Sequence, residues 1–427
     1  YSGNWGLSLF MVPMTLPPPF ADWFARRGWT LRAHQAAMIA ADAAGEHALL
    51  VAATGAGKTL AGFLPSLLAL ADGGHDGLHT LYVSPLKALA ADIARNLEHP
   101  IADMDLPIRV ETRSGDTSSE AKARQRSRPP HILLTTPESL ALLLSWPDSF
   151  TLFANLRTVV IDEVHAFAAG KRGDLLALAL ARLQRINPAL RRVALSATIA
   201  DADAYRRWLA PNSDAAAVRL VEGEAGAPPD IRILMPEGAV PWAGHSGRYA
   251  VHQVMAEVAR HRTTIIFCNT RGLAELLFQQ LWKANDAGLP IAIHHGSLDR
   301  EARLRAEAAM AEGRLRALVA TSSLDMGIDW GDVDCVIQMG APKGASRLLE
   351  RIGRANHRLE EPSRALLVPG NRFEFLEAQA ALDAVAAGER DAETFRPGAR
   401  DVLAQHVMGL ACAAPFDEGE LLAEVQS

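Results

Sequence analysis

The chain has 427 residues, 49% of them hydrophobic and 22% charged, a length that suits two or three packed domains and a balance that excludes both a peptide and a disordered chain. The 43 Lys and Arg against 49 Asp and Glu give a formal charge of −6, which excludes a histone-like polycation but leaves room for a local basic channel. Cys268, Cys335 and Cys412 are too scattered for a disulfide framework or a cysteine zinc cluster, so a reduced, cytoplasmic setting is expected.

Residues 7 to 20 are apolar but lack a basic leader and are interrupted by Pro13 and Pro17 to Pro19, so neither a signal peptide nor a membrane span is expected there. Met11 and Met14 read as internal starts, and no other uncharged run approaches the ~20 residues needed to cross a bilayer. LRAHQAAMIAADAAG then reads as a helix ended by Gly45, HALLVAA as a strand, and TGAGKT as a glycine loop opening a helix through Leu70. Strand and helix keep alternating: TLYVSP, LKALAADIARNLEHP, RVETRSG, the charged run Glu120 to Arg128, HILLTT, PESLALLLS, LRTVVIDE, DLLALALARLQRI and RRVALSAT. Short apolar runs joined by helical patterns imply a parallel sheet with helices on both faces.

The pattern loosens between Ala210 and Pro241, where prolines and glycines place a domain joint near 221 to 230. A second block alternates from VHQVMAEVAR through TTIIFCN, RGLAELLFQQLWKA, IAIHH, the helix at Asp299 to Glu312, LRALVATS, DVDCVIQMG, the helix around Arg347 to Gly353 and ALLVP, to about Arg372. The expected fold class is therefore α/β, two tandem parallel-sheet domains and a helical tail: an N-terminal extension at 1–20, a first domain at 21–222, a second at 223–390 and a tail at 391–427 too short for its own core.

Strand, TGAGKT and helix form the context that a phosphate loop needs. The full GxxxxGK[ST] pattern lacks its first glycine, because Ala52 stands there, but Gly55, Gly57, Lys58 and Thr59 are in place. Backbone N–H groups from Thr54 onward and the helix N-terminus can hold phosphate oxygens, while Lys58 adds a charge at β/γ and Thr59 a hydroxyl for Mg²⁺. A glycine turn with an incidental lysine is the plainer alternative. The strand at 156 to 161 runs into Asp162 and Glu163, suited respectively to holding Mg²⁺ and to deprotonating a water in line with the γ-phosphate; alone, such a pair reads as a solvated strand end. ATP and Mg²⁺ are the implied cofactors.

DEVH at 162–165, with TGAGKT, Ser196–Ala197–Thr198 and the arginine-rich run at 351 to 358, resembles the DExH-box superfamily 2 helicases, and the local wording is similar to the large helicase-related family, Lhr, over about residues 20 to 427. The resemblance implies two RecA-like domains and a tail that opens a winged-helix domain. It implies that Gln35 reads the adenine edge and that Gly327 and Asp329, in the motif V run Ala320 to Asp329, reach the nucleotide. Ser84 to Leu89, Gly115–Asp116–Thr117 and Thr135 to Leu140 resemble strand-contact motifs, Ile265 to Thr270 with Arg271 resembles motif IV, and His294 to Ser297 the motif beside it. Motif VI is matched by Glu350 to Arg358, with Glu350 where the family has Gln and Asn356 where it commonly has Gly.

If the nucleotide sits on the first domain, a cation delivered from the second makes hydrolysis depend on cleft closure, which turns a chemical step into a motion. Arg354 is the first candidate and Arg351 the second, with Arg358 less defined; in isolation such a run reads as a wet helix face. A nucleic-acid track should be polar groups gripping phosphates without reading bases, with Ser84, Lys87, Arg113, Thr136 and Thr321 as candidates. Arg109 to Arg128 carries six basic and three acidic residues, and reads equally as a positive strip or a solvated face. His294 and His295 lack a third ligand at useful spacing, so a metallo-hydrolase is disfavoured.

The expected function is an ATP-driven helicase moving 3′ to 5′ on single-stranded DNA, the direction coming from the Lhr resemblance, with duplex or hybrid junctions as partners, no membrane, a nucleoid-associated cytoplasmic location, and repair proteins reached through further C-terminal domains. An RNA helicase of the same superfamily, a translocase that does not unwind, and an ATP-gated clamp without productive turnover are the alternatives.

Overall fold

The computed structural model describes residues 15–168, 170–244, 247–325, 333–355, 361–391, 395 and 397–427. The first lobe is a seven-stranded parallel sheet of β1 (His47–Val51), β2 (Thr80–Val83), β3 (Val110–Arg113), β4 (Ile132–Thr135), β5 (Thr158–Ile161), β6 (Arg191–Ser196) and β7 (Val218–Glu222), in the order β3-β4-β2-β5-β6-β1-β7. The second is a six-stranded parallel sheet of β8 (Asp230–Ile233), β9 (Thr264–Cys268), β10 (Ile291–His294), β11 (Ala317–Ala320), β12 (Cys335–Met339) and β13 (Arg364–Val368), in the order β10-β11-β9-β12-β13-β8. Two tandem RecA-like parallel sheets followed by helices are thus the architecture.

Both faces of each sheet are covered, which is why central strands such as β2, β4, β5 and β9 are buried at every position instead of alternating. On β1, Ala48 and Leu50 enter one core with Phe63, Tyr82 and Val160, while Leu49 enters the opposite core with Val83, Ile161 and Leu176. The second lobe repeats this, with Ile265 and Phe267 of β9 on one face and Ile266 and Cys268 on the other.

Three elements fall where the sequence pattern is weak. Strands β7 and β8 form inside the stretch expected to be irregular; each pairs along one side only, and β7 alternates buried Val218 and Val221 with exposed Arg219 and Glu222, so neither carries the apolar run of a central strand. The first sheet ends at Glu222 and the second begins at Asp230. A helix at Arg372–Ala386, started by the Asn371 side chain accepting from the Phe373 and Glu374 amides, was likewise not evident from periodicity. Pro18 and Pro19 do not break the N-terminal segment but occupy the first turn of a helix at Pro18–Arg26, where a missing N–H costs nothing.

The tail acquires its core from the first lobe. Helices Arg400–Ala413 and Glu418–Val425 lie against helix Lys171–Ile186, where Arg182 Nη1 donates to Glu424 Oε2 at 2.8 Å with both side chains buried. His406 Nε2 lies 3.4 Å from the other Glu424 oxygen, and Phe395 packs edge-on against Tyr205 at 5.0 Å. Among the described residues no helix is long and apolar enough to cross a membrane.

At the N-terminal edge of the first sheet, His79 Nδ1 lies 2.8 Å from Thr80 Oγ1, which donates on to Ser66. Burial, then the neighbours His75, Arg157 and His131, pushes the His79 pKa down to about 4. An unfolded histidine titrates near 6.5, so the stability of the neutral form is complete above that pH and is lost as pH falls through 6.5 toward 4, by ~3 kcal/mol. Urea midpoints between pH 7.5 and 4.5 should fall more steeply for the wild type than for His79→Asn; identical slopes would contradict this.

Candidate active site

The C-terminal edges of β1, β5 and β6 bring together loop 52–57, the Asp162–Glu163 pair and Ser196. After β1 the chain turns through Thr54, Gly55 and Gly57 into helix Lys58–Leu70. Gly57 is the helix cap at φ +77°, a left-handed conformation, and a Cβ there would sit 3.2 Å from Gln35 Nε2. Gln35 is buried against the loop, with its Oε1 accepting from the Arg32 amide at 3.0 Å. Thr59, half-buried, is the second residue of the helix. A cleft of about 590 Å³ opens at the start of the helix that carries Gln35, lined by Thr30, Leu31, Arg32 and Ala33 and by the inter-lobe segment Glu224 to Ala227.

Lys58 Nζ donates to Ala53 O at 3.4 Å. Burial holds its pKa below the usual lysine range, while Glu163 and Asp162 oppose the shift and Arg354 adds to it. The two carboxylates lie at the end of β5, where Glu163 adopts a left-handed φ of +46°, a strained conformation for a residue with a Cβ. Burial, then the Glu163 charge, pushes Asp162 up to about 6, although Asp162 accepts from the Tyr82 hydroxyl and from the Glu163 amide. Glu163 is itself buried; its Oε2 makes no hydrogen bond and faces His165 Nδ1 at 3.6 Å. Tyr82 was not singled out in the sequence: it sits mid-strand on β2, and only the pairing of β2 with β5 brings its hydroxyl to Asp162.

The second lobe closes over this group through the helix at Ala345–Ile352 and the turn after it. A Cβ on Gly353 would lie 2.9 Å from Thr54 Oγ1, so the turn rests on the phosphate loop itself. Arg354 follows at 4% exposure, its Nε donating to Glu350 O at 3.3 Å, and its charge is felt at Lys58.

Arg351 does not share that placement, which corrects its selection as a catalytic cation. It is 2% exposed and held inside the second lobe: Nε donates to Asp325 Oδ1 at 2.8 Å, Nη1 to Gln338 Oε1 at 2.6 Å, and the guanidinium stacks over Phe267 at 4.9 Å. Gly327, Asp329 and Arg358 lie outside the described residues.

The track candidates divide in the same way. Ser84 and Thr136 directly follow β2 and β4 and are buried, the first bonding Leu86 O and the second capping helix Pro137–Leu144. Lys87 is exposed and paired with Asp116 at 3.2 Å, and Thr321 is half-buried just after β11. Arg113 is 5% exposed, bonded to Gln125 Oε1 at 3.2 Å and Lys122 O at 3.3 Å, and stacked on Trp146 at 4.6 Å. It packs inside the lobe and is not a surface phosphate grip. His294 is occupied by Ser323 and Glu307 at 3.0 and 2.9 Å, and among the described residues no group of three His, Cys, Asp or Glu is placed to hold a metal.

The family model described as DEAD/DEAH box helicase matches residues 32–206, and that described as Helicase conserved C-terminal domain matches residues 248–358. The chain is 35% identical to ATP-dependent helicase Lhr-Core of Methanothermobacter thermautotrophicus, over 96% of this chain and 50% of that protein. It is 35% identical to Lhr helicase/uracil glycosylase of Escherichia coli, over 97% of this chain and 31% of that protein. Among solved structures, Mycobacterium smegmatis helicase Lhr bound to ssDNA and AMP-PNP matches with a TM-score of 0.86 and 36% identity, over 96% of this chain and 55% of that one. The chain spans about half the length of the curated Lhr-Core relatives it matches.

The flush contact at Thr54 yields a prediction. Gly353→Val places methyl groups where Thr54 lies and should lower kcat for ATP at least about tenfold, the scale of a misplaced reacting group, with the melting temperature unchanged. Wild-type turnover in that variant would contradict the contact.

Proposed function

The chain belongs to the Lhr family of superfamily 2 DExH-box helicases, and from that premise we propose that it is the motor portion of an ATP-dependent DNA translocase and helicase moving 3′ to 5′. The observation that carries this reading is the split site: Lys58, Asp162 and Glu163 on one lobe, and Arg354 brought onto the same cleft by the other. An Lhr protein 36% identical to this chain was solved with ssDNA and AMP-PNP, which supports single-stranded DNA as the track and ATP as the fuel.

The residues present fit a magnesium nucleotide. The amides of Thr54 to Gly57 and the Lys58 ammonium form the phosphate cradle, Gln35 and the cleft beside it take the base, and the carboxyl of Asp162, raised by burial, together with the Thr59 hydroxyl, suits a divalent cation. A magnesium ion held by these residues would supply positive charge to the nucleotide's phosphate oxygens. Glu163 orients the attacking water and takes its proton at Oε2, the oxygen that makes no hydrogen bond. Arg354 adds the cation that offsets charge developing on the transferred group, and does so only while the lobes are together. ATP thus closes the cleft and hydrolysis reopens it, while Lys87 on one lobe and Thr321 on the other, the track candidates that solvent reaches, alternate their grip on the phosphates of the strand. The substrates are single-stranded DNA and duplex or DNA–RNA hybrid junctions, the setting is DNA repair at the nucleoid in the cytoplasm, and repair proteins bind through the further domains of the longer relatives.

Steady-state ATPase activity without nucleic acid and with single-stranded DNA, duplex DNA or single-stranded RNA tests the proposal. Single-stranded DNA should stimulate strongly and RNA should not, and Lys58→Ala and Glu163→Gln should abolish turnover with unchanged melting temperatures. Equal stimulation by RNA, or normal turnover in either variant, would contradict it.

A further inference from the structure

Two exposed aromatic rings of the second lobe meet where β13 turns into helix Arg372–Ala386. Trp242 is 66% and Phe373 62% exposed, their centroids lie 6.5 Å apart with the planes tilted by 56°, and the Arg372 guanidinium sits 4.2 Å over the indole. Leu376, also exposed, lies one turn along the same helix from Phe373. The loop that carries the indole is fastened in place. The Arg372 amide donates to Pro241 O at 3.1 Å, Arg372 Nε to Val240 O at 3.1 Å and Asn371 Nδ2 to Gly244 O at 2.9 Å. A lone exposed ring is ordinary, but a pair in contact on a fastened loop presents a preformed apolar surface to solvent.

The turn after β13 stands at the C-terminal edge of the second sheet, the edge that also carries Thr321 after β11. In the order β11-β9-β12-β13 three strand spacings separate the two ends, about 14 Å, the rise of about four stacked nucleotides. Two further cations are exposed at this edge: Lys343 after β12, and Arg248 between Gly247, which packs on Met339, and Tyr249, which donates to Pro369 O. With Arg372 they set three positive charges along it, against Glu237 and Glu377, the exposed acids nearest the rings in sequence. Two rings exposed to this extent offer at most ~300 Å², well short of the ~800 Å² per partner of a stable protein interface. A nucleobase needs only one ring face, with a cation near its phosphate. We propose that Trp242 and Phe373, with Arg372 holding the indole, form a base-stacking platform for single-stranded DNA beyond the phosphate grip at Thr321. The proposal rests on the reading of this edge as the nucleic-acid track. Stacking reads no sequence and touches no phosphate, so the platform adds affinity for unpaired bases and leaves the electrostatic part of binding as it is.

Fluorescence anisotropy on the full chain with AMP-PNP tests this, using a single-stranded oligothymidylate and an abasic strand of the same length. Trp242→Ala should weaken oligothymidylate binding about tenfold, the scale of one lost base–aromatic stack, and Trp242→Phe should recover most of the loss. The slope of log K against log salt should keep its wild-type value, because no phosphate contact is removed. The abasic strand should bind the wild type and Trp242→Ala alike, and the melting temperature should not move. Equal oligothymidylate affinity in the wild type and Trp242→Ala, or the same loss on the abasic strand, would overturn the platform while leaving the track reading intact. So would unchanged DNA binding with altered sedimentation of the free protein, which would assign the rings to a protein contact. A wild type that binds neither strand would overturn the track reading itself, and the platform with it.

Discussion

The approach of Gly353 to Thr54 is the constraint on which the rest of the molecule depends. Each lobe is complete as a folded body, with a parallel sheet buried on both faces, and neither holds a full set of groups for phosphoryl transfer. On the proposed reading the first supplies the cradle, the acid pair and the lysine, and the second supplies a cation on a turn that rests against Thr54 at Gly353. Catalysis split in this way responds to lobe position by geometry alone, since a cation's stabilising effect falls away once water enters between it and the charge it serves.

The electrostatics of the cleft agree with a site built to receive both an anion and a cation. Lys58 is held below the usual lysine range and Asp162 is pushed up to about 6, each mainly by burial, and each is partly stabilised by the other. Two carboxylates at consecutive positions cannot both ionise cheaply in a buried place. The strained φ at Glu163 keeps them side by side, and the Tyr82 hydroxyl orients one of them. These features destabilise the unliganded cleft locally, which is the usual cost of a preorganised site.

The parts of this arrangement legible in the sequence are those whose chemistry demands fixed residue types at short spacing. Lys58 and Thr59 follow their glycines directly, and Asp162 and Glu163 end an apolar strand, so both halves of the candidate nucleotide site stand out in the sequence, and the fold places them at neighbouring strand ends. The two alternating blocks likewise announced two parallel sheets. Roles set by partners distant in sequence were not legible. Arg351 and Arg354 look alike in the motif, and only Asp325, Gln338 and Asn269 closing round the first show that it is held inside its own lobe. Arg113 looked like a surface grip until Trp146 and Gln125 enclosed it. Tyr82 gave no signal, because its importance comes from strand order. Edge strands β7 and β8 escaped notice because half-exposed pairing leaves no continuous apolar run.

The central claim is that hydrolysis requires a cation from the second lobe, and it is tested most directly by comparing AMP-PNP affinity with single-turnover ATP hydrolysis in Arg354→Ala. Arg354 lies across the cleft from the phosphate loop, so the account predicts an affinity near that of the wild type and a hydrolysis rate lower by about a thousandfold or more, the scale of a trans-acting arginine in phosphoryl transfer. Hydrolysis at the wild-type rate, or equal losses in affinity and hydrolysis, would contradict it.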